Sequence, residues 1–503
     1  MRCGGIMPNR LRCKSNEATP SGVRGGVPAI PGTAHQDEAL MTVQSEQEGG
    51  SRSTRWYRGV DRYAWLVLAV CALGWLFDTM DQNLFNLVRQ PSVRELIAHS
   101  VPRPQLDAAA KDVGAQITAI FLLGWAVGGF LFGIIGDRLG RTRTMMFTIL
   151  TYAAFTGLNA LVRTPAEYAV CRFLTALGVG GEFAAGAALV AEVWPERSRA
   201  MALGTLQALS AVGNMAAALI TAALAAMSWR WVFVVGAAPA LLVVWIQASI
   251  REPERWQRVK NAATSEAARR ELGSISALFR DAHLRRNTIA GVLMALAGVG
   301  GLWGVGFFMP DLVGSTLKPI LRQTPAIASL GPRQQEAAVQ HALQWYRSTS
   351  FFVQQIGAFL GMFAYAALSQ RTGRRPALAL FLVLAFLAVE GAFWGTRSIW
   401  TAHLWAFPLG FCALAPFSAY AVYFPELFPT RLRATGVGFC YNCGRILASI
   451  APFTLGKLSA VFANPADEAA GMRTAASIVA LVYFVGLIGV QMAPETRDQP
   501  LPE

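Results

Sequence analysis

Residues 124–143 read GWAVGGFLFGIIGDRLGRTR, an apolar, glycine-rich run that turns charged at Asp137 and basic from Arg138 to Arg143. The pattern returns at residues 357–376 as GAFLGMFAYAALSQRTGRRP. A shift of 233 residues superposes Gly124 on Gly357, Gly128 on Gly361, Arg138 on Arg371, Gly140 on Gly373 and Arg141 on Arg374. A second pair, EVWPERSRAMALG from Glu192 and ELFPTRLRATGVG from Glu426, is related by a shift of 234. Two matches at nearly one offset identify an internal repeat. The expected architecture is two halves in the same orientation, as in membrane proteins built from parallel repeats.

The composition says what each half is made of. The chain has 503 residues, of which 54% are hydrophobic and 15% charged, the balance of a polytopic membrane protein. Apolar runs lie near 64–88, 115–136, 144–162, 167–193, 200–226, 229–250, 287–313, 348–368, 377–396, 399–424, 434–462 and 473–492. Each is long enough to cross roughly 30 Å of hydrocarbon as a helix. They predict an all-α membrane protein with twelve transmembrane helices in two pseudo-symmetric six-helix bundles. The expected boundaries are a disordered tail over 1–62, bundles over 63–250 and 287–493 joined by a basic linker over 251–286, and a short tail over 494–503. Met41 offers an alternative start to a shorter first tail.

The formal net charge is +14, and its placement is informative. Arg138, Arg141 and Arg143 follow the second run, Arg197 and Arg199 the fourth, Arg371, Arg374 and Arg375 the eighth, and Arg431 and Arg433 the tenth. Every loop from an even to an odd run is basic. The positive-inside rule then places both termini in the cytoplasm of a cell (inner or plasma) membrane. Charge dispersed loop by loop fits orientation in a lipid bilayer and argues against a nucleic-acid partner. Cys440 and Cys443 form a C-x-x-C without a second pair or a nearby histidine, so they read as small packing residues and no metal is expected. No phosphate-binding loop is present, which argues against ATP-driven chemistry and against an enzyme; no cofactor is expected, and the protein is expected to be monomeric.

Against this apolar background a few polar residues stand out. Asp78, Asp81, Gln82 and Asn86 fall within roughly 140° of one another on a helical wheel, with Asn83 about 60° further on. An ionised aspartate at membrane depth costs at least about 2.5 kcal/mol, so a pair on one face is expected to meet water, a cation or a bound proton. Counting about 1.5 Å per residue from Tyr63 puts Asp78 at roughly 22 Å and Asp81 at roughly 27 Å along the span. Glu182 lies about 18 Å from Trp194, near mid-membrane, where reversible protonation is the expected use of a carboxyl. Arg445 stands alone in the eleventh run at about 16 Å from Ala434. A guanidinium cannot shed its proton, so it needs an acid or an anionic ligand, and Tyr441 and Asn442 on much the same face could help orient one.

The segment from Gly133 to Arg143 resembles the signature loop between helices two and three of the major facilitator superfamily, and Arg172 with Gly178, Gly180 and Gly181 is similar to its fourth-helix motif. REPERW from Arg251 and PETR from Pro494 resemble landmarks of its sugar-porter and organic-acid branches. GVGGEFAAGAALVAEVWPE resembles most closely the sialate and monocarboxylate proton symporters, and the acid-x-x-acid pattern of the first helix is also similar to the aromatic-acid symporters. The resemblance implies secondary active transport by alternating access, with protons and a small organic anion as the expected cargo. Asp78 and Asp81 would be coupling or binding acids, and Glu182 a proton relay tuned by Arg172. Arg445, Gln82, Asn86, Tyr441 and Asn442 would bind the solute. Gly133, Gly136, Asp137, Arg138, Gly140 and Arg141, with Arg371, Gly373, Arg374, Glu192, Arg197, Glu426 and Arg431, would form the gate. Gln370 replaces Asp137 in the second copy, so the latch is expected to be weaker there. A sugar or polyol carrier is the alternative favoured by REPERW and PETR, and a membrane sensor that binds a nutrient without moving it is a third reading.

Overall fold

The computed structural model describes residues 56–502 apart from 225–226, 239–244, 247–248, 449, 463 and 465–468. The expected disordered tail therefore lies almost wholly outside the described residues. The helices among the described residues fit an arrangement of twelve spans. Ten helices among the described residues are long and apolar enough to cross a membrane, and the sixth and eleventh spans run over undescribed residues. The first half is built from Arg62–Ile97, Leu106–Leu139, Arg141–Leu158, Pro165–Val193, Arg199–Ala223 and a sixth span beginning with Arg230–Gly236. In the second half, Ala282–Gly304, Pro332–Thr372 and Arg374–Gly395 are followed by three spans, each built of two helices in series. These are Ile399–Ala413 with Ala415–Leu427, Arg433–Ala448 with Ala451–Val461, and Ala470–Ala480 with Val482–Met492.

The repeat read from the sequence is repeated in contacts. Gly128 lets the second helix close on the fourth, where a β-carbon would collide with the Leu177 carbonyl; Gly361 lets the eighth close on the tenth against the Phe411 carbonyl. Gly140 and Gly373 both take positive φ, 122° and 103°, at the turn into the next helix, a backbone region that L side chains rarely enter. One residue beyond each glycine an arginine folds back on the helix it has left. Arg141 Nη1 donates to the Gly136 carbonyl at 2.9 Å, and Arg374 Nη1 to the Ser369 carbonyl at 3.0 Å.

The same turns explain two glutamates that the sequence left without a role. Glu252 of REPERW accepts from the backbone N–H groups of Thr142 and Arg143 at 3.2 and 3.1 Å. Glu495 of PETR accepts from those of Arg374 and Arg375 at 2.8 and 3.0 Å. Each carboxylate satisfies donors that the first turn of a helix leaves without an internal partner, at the positive end of its dipole. Losing such a cap costs about 1 kcal/mol. Glu252→Ala and Glu495→Ala should therefore each lower the thermal midpoint of the purified protein by a few degrees, to a similar extent. Unchanged midpoints in both variants would contradict this.

Two segments that lie outside the apolar runs are helical. The first helix continues past residue 88, through Pro91, to Ile97. Residues 314–347 fold as a hairpin: Met309–Gln323 turns apolar residues such as Leu312, Leu317 and Leu321 inward, and the eighth helix starts as early as Pro332. Arg322 and Glu336 pair across it at 2.8 Å. At about 1.5 Å per residue, the 41 residues of Pro332–Thr372 far exceed the hydrocarbon thickness. The hairpin therefore stands beyond the membrane.

Candidate functional site

Two groups of polar residues lie between the halves, one at mid-depth and one at the basic end. At mid-depth, Asp78 and Glu182 are each 1% exposed. Gly74 makes the room, since a β-carbon there would strike the Glu182 carboxyl. The two carboxyls face one another, and none of their four oxygens meets a protein donor among the described residues. A buried polar atom without a partner is uncommon in a native fold. Four on two touching acids call for a shared proton, because two neighbouring carboxylates cannot both stay ionised cheaply away from water.

Asp81 is different. It accepts from Arg172 Nη1 at 3.1 Å and from Thr156 Oγ1 at 2.7 Å, with both ion-pair side chains fully buried. The Arg172 guanidinium is also clasped between the Phe85 and Phe121 rings, 4.4 Å from each centroid. The four expected coupling residues thus separate into two pairs: Asp78 with Glu182, and Asp81 with Arg172. Sequence spacing gave no sign of the second pair, whose members are 91 residues apart.

From the other half, Arg445 comes close enough for its charge to act on Asp78. Its guanidinium is stacked between the Trp125 ring at 4.0 Å and the Tyr441 ring at 3.8 Å. Asn442 accepts from Arg445 Nη1 at 3.2 Å and donates to the Gly438 carbonyl at 2.8 Å, seated against Gly129. Aromatic rings continue from there: Tyr441 lies 4.9 Å from Phe183, and Phe183 4.8 Å from Trp75. Gln82 is buried and Asn86 half-buried beside this region. Asn83 is the amide of that stripe with a clear partner: its Nδ2 donates to Asn214 Oδ1 at 2.6 Å, and Asn214 donates to Gln355 Oε1 at 3.0 Å, joining the first, fifth and eighth helices.

At the basic end the halves are bolted together. Glu192 accepts from Arg141 Nη2 at 3.0 Å and from Arg433 Nη1 of the other half at 2.7 Å. Asp137 pairs with Arg141 at 3.1 Å and accepts from the backbone N–H groups of Ala434 and Thr435 at 3.2 and 2.8 Å, capping the eleventh helix across the interface. Gly133 and Gly136 admit that approach, each facing Ala434. Arg433 Nη2 and Thr430 N also donate to the Pro502 carbonyl, at 2.7 and 3.2 Å. In the second half Arg374 pairs with Glu426 at 2.9 Å within one bundle, and Gln370 reaches only the exposed backbone of Arg197 at 3.2 Å.

Several of the expected gate residues use their side chains elsewhere. Arg197 donates to the Arg58 carbonyl on the surface, and Arg431 contributes its backbone carbonyl to Gly273 N. The charge that crosses the interface comes from Arg433, two residues later. Arg138 reaches the Leu272 carbonyl of the linker at 3.0 Å, and Arg371 is exposed, its carbonyl accepting from Arg497.

A model of the Major Facilitator Superfamily matches residues 71–452. A probable 4-methylmuconolactone transporter of Cupriavidus pinatubonensis is 27% identical over 88% of this chain and 93% of its own length. A cis,cis-muconate transport protein of Acinetobacter baylyi is 29% identical over 72% of this chain and 83% of its own. Among solved structures, the proton:xylose symporter XylE bound to 6-bromo-6-deoxy-D-glucose superposes with a TM-score of 0.63 at 16% identity, covering 87% of this chain and 98% of that one.

Proposed function

Starting from a chain that belongs to the Major Facilitator Superfamily, we propose a proton-coupled symporter of a small organic carboxylate that works by alternating access between bundles over 63–250 and 287–493. The observation that carries this reading is the buried Asp78–Glu182 pair without protein donors, set beside the Arg445 guanidinium of the opposite half. Arg445 is the group for the solute carboxylate, since a planar guanidinium presents paired donors to a planar anion. The Asp78–Glu182 pair holds the transported proton. When the solute neutralises Arg445 and a second proton joins the one the acids already share, both carboxyls are neutral, the midplane of the loaded carrier carries no uncompensated charge, and the bundles can rock about it. Arg172 and Asp81 hold the first-half wall of the site in shape. Relatives named for muconate and muconolactone support an organic-acid solute. A neutral sugar has no use for Arg445. The basic loops favour a cytoplasmic side for the latch of Asp137, Glu192 and Arg433, and on this reading the latched state is closed to the cytoplasm, with both termini inside.

The test is uptake into proteoliposomes of labelled cis,cis-muconate, nicotinate and xylose, with and without an imposed proton gradient. Accumulation of a carboxylate that follows the gradient is the expected result. Glu182→Gln should retain solute exchange and lose accumulation. Gradient-independent uptake, or a Glu182→Gln protein that still accumulates, would overturn the coupling assignment.

A further inference from the structure

A groove of about 360 Å³ opens on the lateral face of the second half, between the seventh and eleventh spans. Its walls are Ile289, Val292 and Leu293 on one side and Phe439, Ile446 and Leu447 on the other. Phe279, from the linker helix Ala277–Arg280, closes one end by packing on Phe439 with centroids 5.5 Å apart at 75°. Ile289, Ile446 and Leu447 are 41–47% exposed, so the trough is open to whatever surrounds the protein at that depth. It runs parallel to the helices from the basic end inward.

What distinguishes this trough from ordinary membrane-facing surface is the charge at its mouth. Arg285 lies four and seven residues before Ile289 and Val292, and Arg286 three and seven before Ile289 and Leu293. At 3.6 residues per turn both arginines stand above the trough on its own helix face. Both are exposed, and neither forms an ion pair among the described residues. The nearest acids on the linker are otherwise engaged. Asp281 accepts from the backbone N–H groups of His283 and Leu284 at 3.0 Å each, and Glu271 pairs with Arg280 at 3.0 Å.

We propose that this groove is a binding site for an anionic phospholipid, with an acyl chain along the trough and the phosphate beneath Arg285 and Arg286. An acyl chain fits an apolar channel that begins at the interface, and arginines near the surface attract an anionic lipid headgroup. The eleventh span that forms one wall also carries Arg445 and Asn442, so an occupied groove braces the helix that presents the solute guanidinium.

Native mass spectrometry of the full-length protein in detergent, titrated with phosphatidylglycerol or phosphatidylcholine, tests the site. The expected result is retention of phosphatidylglycerol at roughly tenfold lower concentration than phosphatidylcholine. That preference should be lost in the Arg285→Gln, Arg286→Gln double variant and in groove-filling Val292→Trp. Arg258→Gln, exposed on the separate linker helix Glu254–Ala262, should retain it. Equal retention of the two lipids, a preference unchanged by the double variant, or an equal loss in Arg258→Gln would overturn the proposal. So would a second copy of the chain cross-linked through Cys443 in the groove. Circular dichroism of each variant separates a lost site from a lost fold.

Discussion

Replacing Arg172 with methionine should destabilise the protein by about 3–5 kcal/mol, the cost of stranding one member of a buried ion pair. Asp81 would keep its Thr156 hydroxyl and lose its cation, and the Phe85 and Phe121 rings would lose the charge they enclose. Methionine fills much of the same slot, so the loss measures charge more than volume. The double variant Asp81→Asn, Arg172→Met removes both charges and should recover a large part of the deficit. Thermal unfolding of the three proteins in one detergent is the measurement. A single variant as stable as its parent would mean that Asp81 does not depend on Arg172, and would return Asp81 to the set of candidate proton carriers.

The second large effect is expected at Arg445. Lysine keeps the charge but cannot lie flat between Trp125 and Tyr441, where the guanidinium is held at 4.0 and 3.8 Å. Arg445→Lys should weaken carboxylate affinity by at least about tenfold, or 1.4 kcal/mol, and Arg445→Gln by about a hundredfold or more. Equilibrium binding measures this without requiring transport. Carboxylate affinity unchanged in Arg445→Gln would remove the anion assignment. Xylose binding, if present in the parent, should be indifferent to the lysine variant.

Much of the architecture was legible because membrane helices announce themselves by length and because the repeat carries its own punctuation. Gly140 and Gly373 mark turns whose backbone only glycine adopts readily, and the arginines after them fold back in the same way in both halves. What escaped was pairing between distant segments. Periodicity placed Asp78 and Asp81 on one face but could not say that one meets Glu182 and the other Arg172, because the relative rotation of two packed helices is set by side-chain fit. The same limit concealed Glu252 and Glu495, whose partners are backbone N–H groups more than 100 residues away. Between Arg431 and Arg433 the sequence offered two similar charges, and only the direction of the eleventh helix decides which one crosses to Glu192. The hairpin over 314–347 escapes a search for membrane runs because its apolar residues are spaced for a helix packed on protein and not for one packed in lipid.

Pro502 gives the carboxy-terminal residues a part in the machinery. Its carbonyl is held by Arg433 and Thr430, next to the carboxylate that ties the two bundles together. Parting the bundles there breaks the grip of Arg433 on Glu192, and this short strand must either ride along with the departing helix or be released. A bulky label attached beside Pro502 would sit on the hasp itself, and bias the very equilibrium it was added to observe.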